Sequence, residues 1–113
     1  PSRHCAAVRS HAAALHTLAR LYTNHDRFRD AVHVSRVALT AYPSSPLTRN
    51  IQQDAAKTFD MLFLAGKGDS LPAIDALGLF YDFRELTPIG RRGSLSPARA
   101  RRTAREIVVM ASF

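Results

Sequence analysis

The chain has 113 residues, of which 46% are hydrophobic, and a formal net charge of +7. This length suits one domain with a modest core. No apolar run approaches the roughly 20 residues that cross a bilayer, residues 1–10 lack the apolar core of a signal peptide, and the single Cys5 excludes an internal disulfide. We therefore expect a cytoplasmic protein. Because the chain begins with Pro1, we also expect a fragment of a longer one.

The positive charge is concentrated at the end of the chain. Residues 1–90 hold 10 Lys and Arg against 8 Asp and Glu, whereas residues 91–113 hold 6 Arg against Glu106 alone. The basicity is therefore a property of the C-terminal segment and does not describe the expected folded part.

The first half of the chain predicts a pair of helices. Residues 1–10 are expected to be the end of a preceding helix or an N-terminal extension, with Ser10 as the cap of the next helix. Apolar residues recur at helical spacing over 11–24 and again over 27–42, and His25 and Asp26 separate the two runs. Pro43 ends the second helix. Residues 11–45 are therefore predicted to form a helix pair.

This pair resembles the tetratricopeptide repeat, a unit of 34 residues. The residues that carry the resemblance are small or apolar and recur at the family's spacing: Leu15, Leu18, Ala19, Tyr22, Ala31, Ala38 and Pro43. Ser35 departs from it, because the family usually has a large aromatic side chain there. Residues 12–93 also resemble a segment of large, mostly uncharacterised repeat proteins of alphaproteobacteria. The resemblance implies an all-α, antiparallel array of helix hairpins that serves as a scaffold for binding other proteins.

Residues 46–90 predict a second, degenerate or capping helix pair. Ser45 and Pro46 begin a helix that continues to Ala65, and Gly66 and Gly68 end it. Asp69 and Ser70 can cap a further helix over 71–86. Residues 91–113 are predicted to be a basic tail, either helical from Pro97 or disordered. The change in composition at Ser94 leaves open a divergent or an out-of-frame ending.

Catalysis and metal binding find little support in the sequence. The five His residues show no metal-ligand spacing, and no second Cys is present to complete a zinc site. No nucleophile stands beside the His25–Asp26 pair. We therefore expect neither an enzyme nor a bound cofactor, and solvent-facing helix histidines are the simpler interpretation.

A concave groove is the expected binding site, because in the resembling arrays the first helix of each pair lines such a groove. The polar side chains that we assign to it are His16, Arg20, Thr23, Asn24, Asn50, Asp54 and Lys57. The groove is expected to hold an extended peptide, with Arg20 and Lys57 clamping a carboxylate. An ordinary solvated surface is the alternative.

Two further surfaces follow from the second half of the chain. The tail arginines could bind anions such as nucleic acid or an anionic membrane, and they are Arg91, Arg92, Arg99, Arg102 and Arg105. Specific recognition of nucleic acid is not expected, because this tail has no aromatic residue before Phe113. Self-association is predicted through Phe80, Tyr81 and Phe83, which an array end would leave partly uncovered.

Overall fold

The computed structural model describes the backbone of residues 3–82 and 97–111 and the side chains of residues 11–80 and 98–110. The described residues form five α-helices and no strand, so the predicted all-α class is confirmed. The helices are α1 (Arg3–Asn24), α2 (Phe28–Ala41), α3 (Thr48–Leu64), α4 (Leu71–Asp82) and α5 (Pro97–Ala111). None of them is long and apolar enough to cross a membrane.

The first helix is longer than the sequence predicted. It runs without a break from Arg3, so Ser10 lies inside α1 and does not cap it, and residues 3–10 are part of this helix. Residues 3–24 contain neither Gly nor Pro and include six Ala, the residue with the highest helix propensity. A single Ser in such a run costs too little to stop the helix.

The α1–α2 and α3–α4 hairpins turn through the same backbone motif. After α1, Asp26 has a φ of 60°, its N–H donates to Thr23 O, and the N–H of Arg27 donates to Tyr22 O at 2.8 Å. These bonds define a Schellman cap.

An equivalent cap ends α3. Gly66 has a φ of 77°, its N–H donates to Phe63 O, and the N–H of Lys67 donates to Leu62 O at 2.7 Å. The prediction that Gly66 ends this helix is confirmed. The next helix begins at Ser70, whose Oγ accepts a hydrogen bond from the N–H of Ala73 at 3.4 Å, as the sequence predicted.

The central helix of the fold is α2. It packs against each of the other four helices, and eight of its 14 residues are buried. Val37 and Leu39 are at most 1% exposed. Leu15 of α1 is fully buried beside them, whereas Phe28 at the start of α2 is only half-buried. The core is therefore aliphatic and centred on α2, and α4 adds the fully buried Leu79.

Helix α5 folds back onto the first hairpin. It packs against α2 and α1, and its Ala100 and Ala104, one turn apart, have no exposed surface. Their small side chains allow the helix axes to approach closely. Of the two alternatives for the tail, the helical one holds for residues 97–111, and Pro97 stands at the start of the helix, where a proline fits.

Candidate functional site: the groove between α1 and α3

Helices α1 and α3 form the two walls of a pocket of about 170 Å³. The wall from α1 presents His16, Arg20, Thr23 and Asn24, which recur at the spacing of one helix face. The wall from α3 presents Asp54, Lys57, Thr58 and Met61. Six of the seven residues that the sequence assigned to a groove therefore line one pocket in the structure.

Asn50 is the exception. Its side chain is exposed and lies one helical turn before Asp54, outside the pocket. His16 Nε2 and Asp54 Oδ2 are 2.8 Å apart and join the two walls at this end. The sequence assigned Asn50 to the groove, and in the structure it does not line the pocket.

Asp54 also interacts with the guanidinium that was expected to clamp a ligand. Arg20 Nε lies 3.6 Å from Asp54 Oδ2, and 64% of the Arg20 side chain is exposed. An exposed pair at this distance contributes little to stability. Arg20 can therefore turn toward a second carboxylate without a large loss.

Lys57 lies across the groove from Arg20 and is exposed. No ion pair joins it to a carboxylate among the described residues. The groove thus offers two exposed cationic side chains and one carboxylate, Asp54, which already accepts the His16 hydrogen bond.

The floor of the pocket was not predicted as part of a site. It is built mainly from aliphatic side chains of four helices, namely Ala19, Ala31, Val32, Ala55 and Leu79. Leu79 belongs to α4, and its carbonyl accepts a hydrogen bond from Gln52 Nε2 at 3.1 Å, which fixes this part of α4 against α3. The four floor residues of α1, α2 and α3 continue apolar stripes, so the sequence marked them as core without showing that they would also face a pocket. Leu79 was not predicted as a core residue of its helix.

The polar side-chain atoms deep in the groove already have hydrogen-bond partners within their own helices. Thr58 is 4% exposed, and its Oγ1 donates to the carbonyl of Asp54 at 3.0 Å. Thr23 Oγ1 donates to the carbonyl of Ala19. Among the described residues no buried side-chain N or O atom lacks a partner. The hydrogen-bonding capacity left for a ligand therefore lies at the rim, on Arg20, Asn24 and Lys57.

The predicted tail site is described only in part. Arg99, Arg102 and Arg105 are exposed on α5, and Arg101, which the sequence analysis left out, is exposed with them. Arg91 and Arg92 lie outside the described residues. Phe80 is 38% exposed, whereas the side chains of Tyr81 and Phe83 also lie outside the described part. Within the described residues no cluster of three or more His, Cys, Asp or Glu side chains could hold a metal ion.

Comparisons of the chain with protein-family models, with curated proteins and with solved structures found no match. The resemblance to the tetratricopeptide repeat stays a hypothesis, carried by the spacing of residues 15–43 alone.

Proposed function

We propose that the chain is a protein-interaction module of the tetratricopeptide type, acting in the cytoplasm, whose groove between α1 and α3 binds a short acidic peptide. The observation that carries this proposal is the pocket in which Arg20 and Lys57 flank an apolar floor. The proposed role is binding and involves no catalysis.

The size of the pocket favours a peptide over a small metabolite. Pockets for drug-sized ligands usually enclose about 300–1,000 Å³, whereas this one encloses about 170 Å³. Such a space takes one or two side chains of a longer ligand that continues along the rim. The small side chains of Ala19, Ala31 and Ala55 form a shallow floor that suits an aliphatic residue.

The charges at the rim favour an acidic ligand. A peptide carboxylate between Arg20 and Lys57 would receive charge-assisted hydrogen bonds from both side chains. The exposed amide of Asn24, on the same rim, can bond to the peptide backbone. We therefore propose a ligand with an aliphatic residue next to an Asp or Glu.

A peptide titration tests the groove. The probe is a fluorescein-labelled library of acidic peptides, each pairing Leu or Val with Glu, and binding is followed by fluorescence anisotropy. The double variant Arg20→Ala with Lys57→Ala should weaken binding at least about 100-fold, because hydrogen bonds to charged groups contribute about 1.5–3 kcal/mol each. Circular dichroism should show unchanged helical content.

A matched control separates the groove from the overall charge. Arg29 and Lys67 are exposed and do not line the groove, so their double replacement by Ala removes the same charge elsewhere. This control should bind the peptide within about threefold of the parent chain, since exposed and distant charges are screened by salt. Equal weakening in both double variants would reject a specific clamp.

Replacing Asp54 should change the peptide affinity in the opposite direction. Its carboxylate competes with the peptide for Arg20, 3.6 Å away, and repels an incoming Glu. Asp54→Asn should therefore raise the affinity for the acidic peptide by roughly two- to fivefold, as expected for release of an exposed ion pair. Weaker binding by this variant would mean that Asp54 orients the groove.

A further inference from the structure

The outer surface of α5 carries a cluster of cationic side chains that the groove does not use. Arg101, Arg102 and Arg105 are exposed, and at spacings of three and four residues they occupy adjoining positions on one side of the helix. We call these three residues the Arg face. No ion pair joins any of them to a carboxylate among the described residues.

The packing of α5 fixes the direction of this surface. Ala100 and Ala104 are fully buried against the first hairpin, and Ile107 and Val108 pack against the same core. With one side of the helix held in this way, the Arg face stays exposed to solvent, although Arg101 and Arg105 are close enough to Tyr42 for their charges to oppose the rise in its pKa. The guanidinium groups are therefore presented on a supported helix.

Apolar side chains extend the same exposed side toward the end of α5. Val109 lies one turn after Arg105 and is 57% exposed, and Met110 is 76% exposed. A surface that combines arginines with uncovered aliphatic side chains has the composition of helices that lie at a membrane interface. A phosphate backbone alone would gain nothing from Val109 and Met110.

We propose that the outer side of α5 is a docking surface for an anionic lipid bilayer, with the Arg face on the lipid phosphates and Val109 and Met110 at the acyl boundary. Nucleic acid fits less well, because the exposed side chains of residues 98–110 include no aromatic ring for base stacking. The binding is peripheral and requires no insertion of the helix across the bilayer.

Vesicle sedimentation with the full 113-residue chain tests this surface. The vesicles are phosphatidylcholine alone or phosphatidylcholine with about 30% phosphatidylglycerol, a composition chosen to supply anionic headgroups. We expect binding only to the anionic vesicles, and we expect it to fall as NaCl is raised from about 0.05 to 0.5 M, because salt screens exposed charges.

The triple variant Arg101→Gln, Arg102→Gln, Arg105→Gln should lower the partition coefficient about 100-fold, since each Arg near an anionic surface contributes roughly a fivefold factor. Gln is a good helix former, so α5 should persist, and circular dichroism checks it. The matched control replaces three exposed cations elsewhere, Arg29, Arg49 and Lys67, by Gln. This control should stay within about threefold of the parent chain.

Two further variants separate the possible sources of binding. Replacing the Arg face by three Lys should preserve vesicle binding, because an anionic surface responds mainly to charge. Val109→Ser with Met110→Ser should weaken the binding that persists at 0.5 M NaCl, where the apolar contribution dominates.

Three results would overturn the proposal. The first is the absence of binding to anionic vesicles, and the second is an equal loss of vesicle binding in the two triple Gln variants. The third is tighter binding to single-stranded or duplex DNA than to vesicles, together with no effect of the Val109 and Met110 changes. The last result would identify a polynucleotide as the partner. None of these variants alters the peptide groove, so the anisotropy assay provides an independent check of folding.

Discussion

Tyr42 lies at the end of α2, where α5 crosses that helix. A change in the charge of its side chain would therefore affect the packing of α2 against α5. It is 7% exposed, and its phenol lies 3.1 Å from His11 Nδ1 of α1. Burial raises the pKa of this phenol above its ordinary value of 10.0, while the positive charges of Arg105 and Arg101 oppose the increase. Its neutral form is therefore favoured in the folded state.

That shift predicts a loss of stability at alkaline pH. Below pH 10.0 the phenol is neutral in both states, so its contribution is complete. As pH rises through 10.0, the unfolded chain loses the proton first, and the stability contribution disappears as pH rises through the higher folded pKa. Tyr42→Phe should flatten the decline of the melting temperature above pH 10.

The measurement compares melting curves of the parent chain and the Tyr42→Phe variant at several pH values from about 8 to 11, a range that spans the ordinary tyrosine pKa. The variant also loses the His11 hydrogen bond, so the slopes with pH are compared and the absolute temperatures are not. Parallel slopes would show that Tyr42 titrates alike in the folded and unfolded states.

The residue pattern of α1 correctly predicted which side chains form one wall of the groove. It did not predict the hydrogen bond that joins the two walls. His16, Arg20, Thr23 and Asn24 share a face of α1 because of the helical period alone, so their grouping was available from the sequence. The bond between His16 and Asp54 joins two helices 38 positions apart. No spacing rule within one helix encodes such a contact, and none shows that Asn50, one turn before Asp54, lies outside the pocket.

At the scale of the elements, two glycines of the second hairpin should respond to replacement by Ala with opposite changes in stability. An added Cβ would meet no atom within 4 Å at Gly66 or at Gly78, so sterics with neighbours do not distinguish them. Gly66 has a φ of 77° at the cap of α3, a conformation that other residues rarely adopt. Gly78 lies inside α4.

Gly66→Ala should therefore lower the free energy of unfolding by about 1 kcal/mol, because Ala is strained at positive φ. Gly78→Ala should raise it by about 0.5–1 kcal/mol, because Ala has the higher helix propensity and reduces the entropy of the unfolded chain. Urea unfolding followed by circular dichroism measures both. Two changes of the same sign would contradict the assigned cap.

The sequence predicted the ends of helices where it contains a residue that stops a helix. It did not predict which helices pack against each other. Pro43, Gly66 and Ser70 located the ends of α2 and α3 and the start of α4 because each acts on its own backbone. The predicted starts of α1 and α3 were wrong, because Ser10 lies inside α1 and α3 begins at Thr48, two residues after Pro46. In α5, the sequence showed Ala100 and Ala104 only as two alanines in an Arg-rich segment. The helices against which they pack, α1 and α2, are far from them in the sequence.

At the scale of the whole molecule, the second hairpin has large apolar side chains that the described part of the chain leaves uncovered. Leu64 is 85% exposed, Leu71 is 64% exposed, and Phe63 and Ile74 are each more than half exposed. These residues lie on either side of the turn between α3 and α4. Together with Phe80 they extend the surface for which the sequence predicted self-association.

Sedimentation equilibrium tests that prediction. The parent chain should show a mass above 12.5 kDa that grows with concentration, because contiguous exposed apolar surface favours association. Leu64→Glu with Leu71→Glu should shift the chain toward the monomer. Leu21→Glu is the control, since Leu21 is 50% exposed on α1 and away from this turn. A parent chain that stays monomeric at millimolar concentration would refute the prediction.

The return of α5 to the first hairpin also sets an order of assembly during synthesis. Helices α1 and α2 leave the ribosome before α5 and can pair at once, because a three-residue turn joins them. The surface of α2 that α5 covers must wait until residues 97–111 have emerged. A nascent chain therefore carries an uncovered strip of α2 until α5 has emerged, and that interval is when chaperone contact and misassembly between chains on neighbouring ribosomes are most consequential.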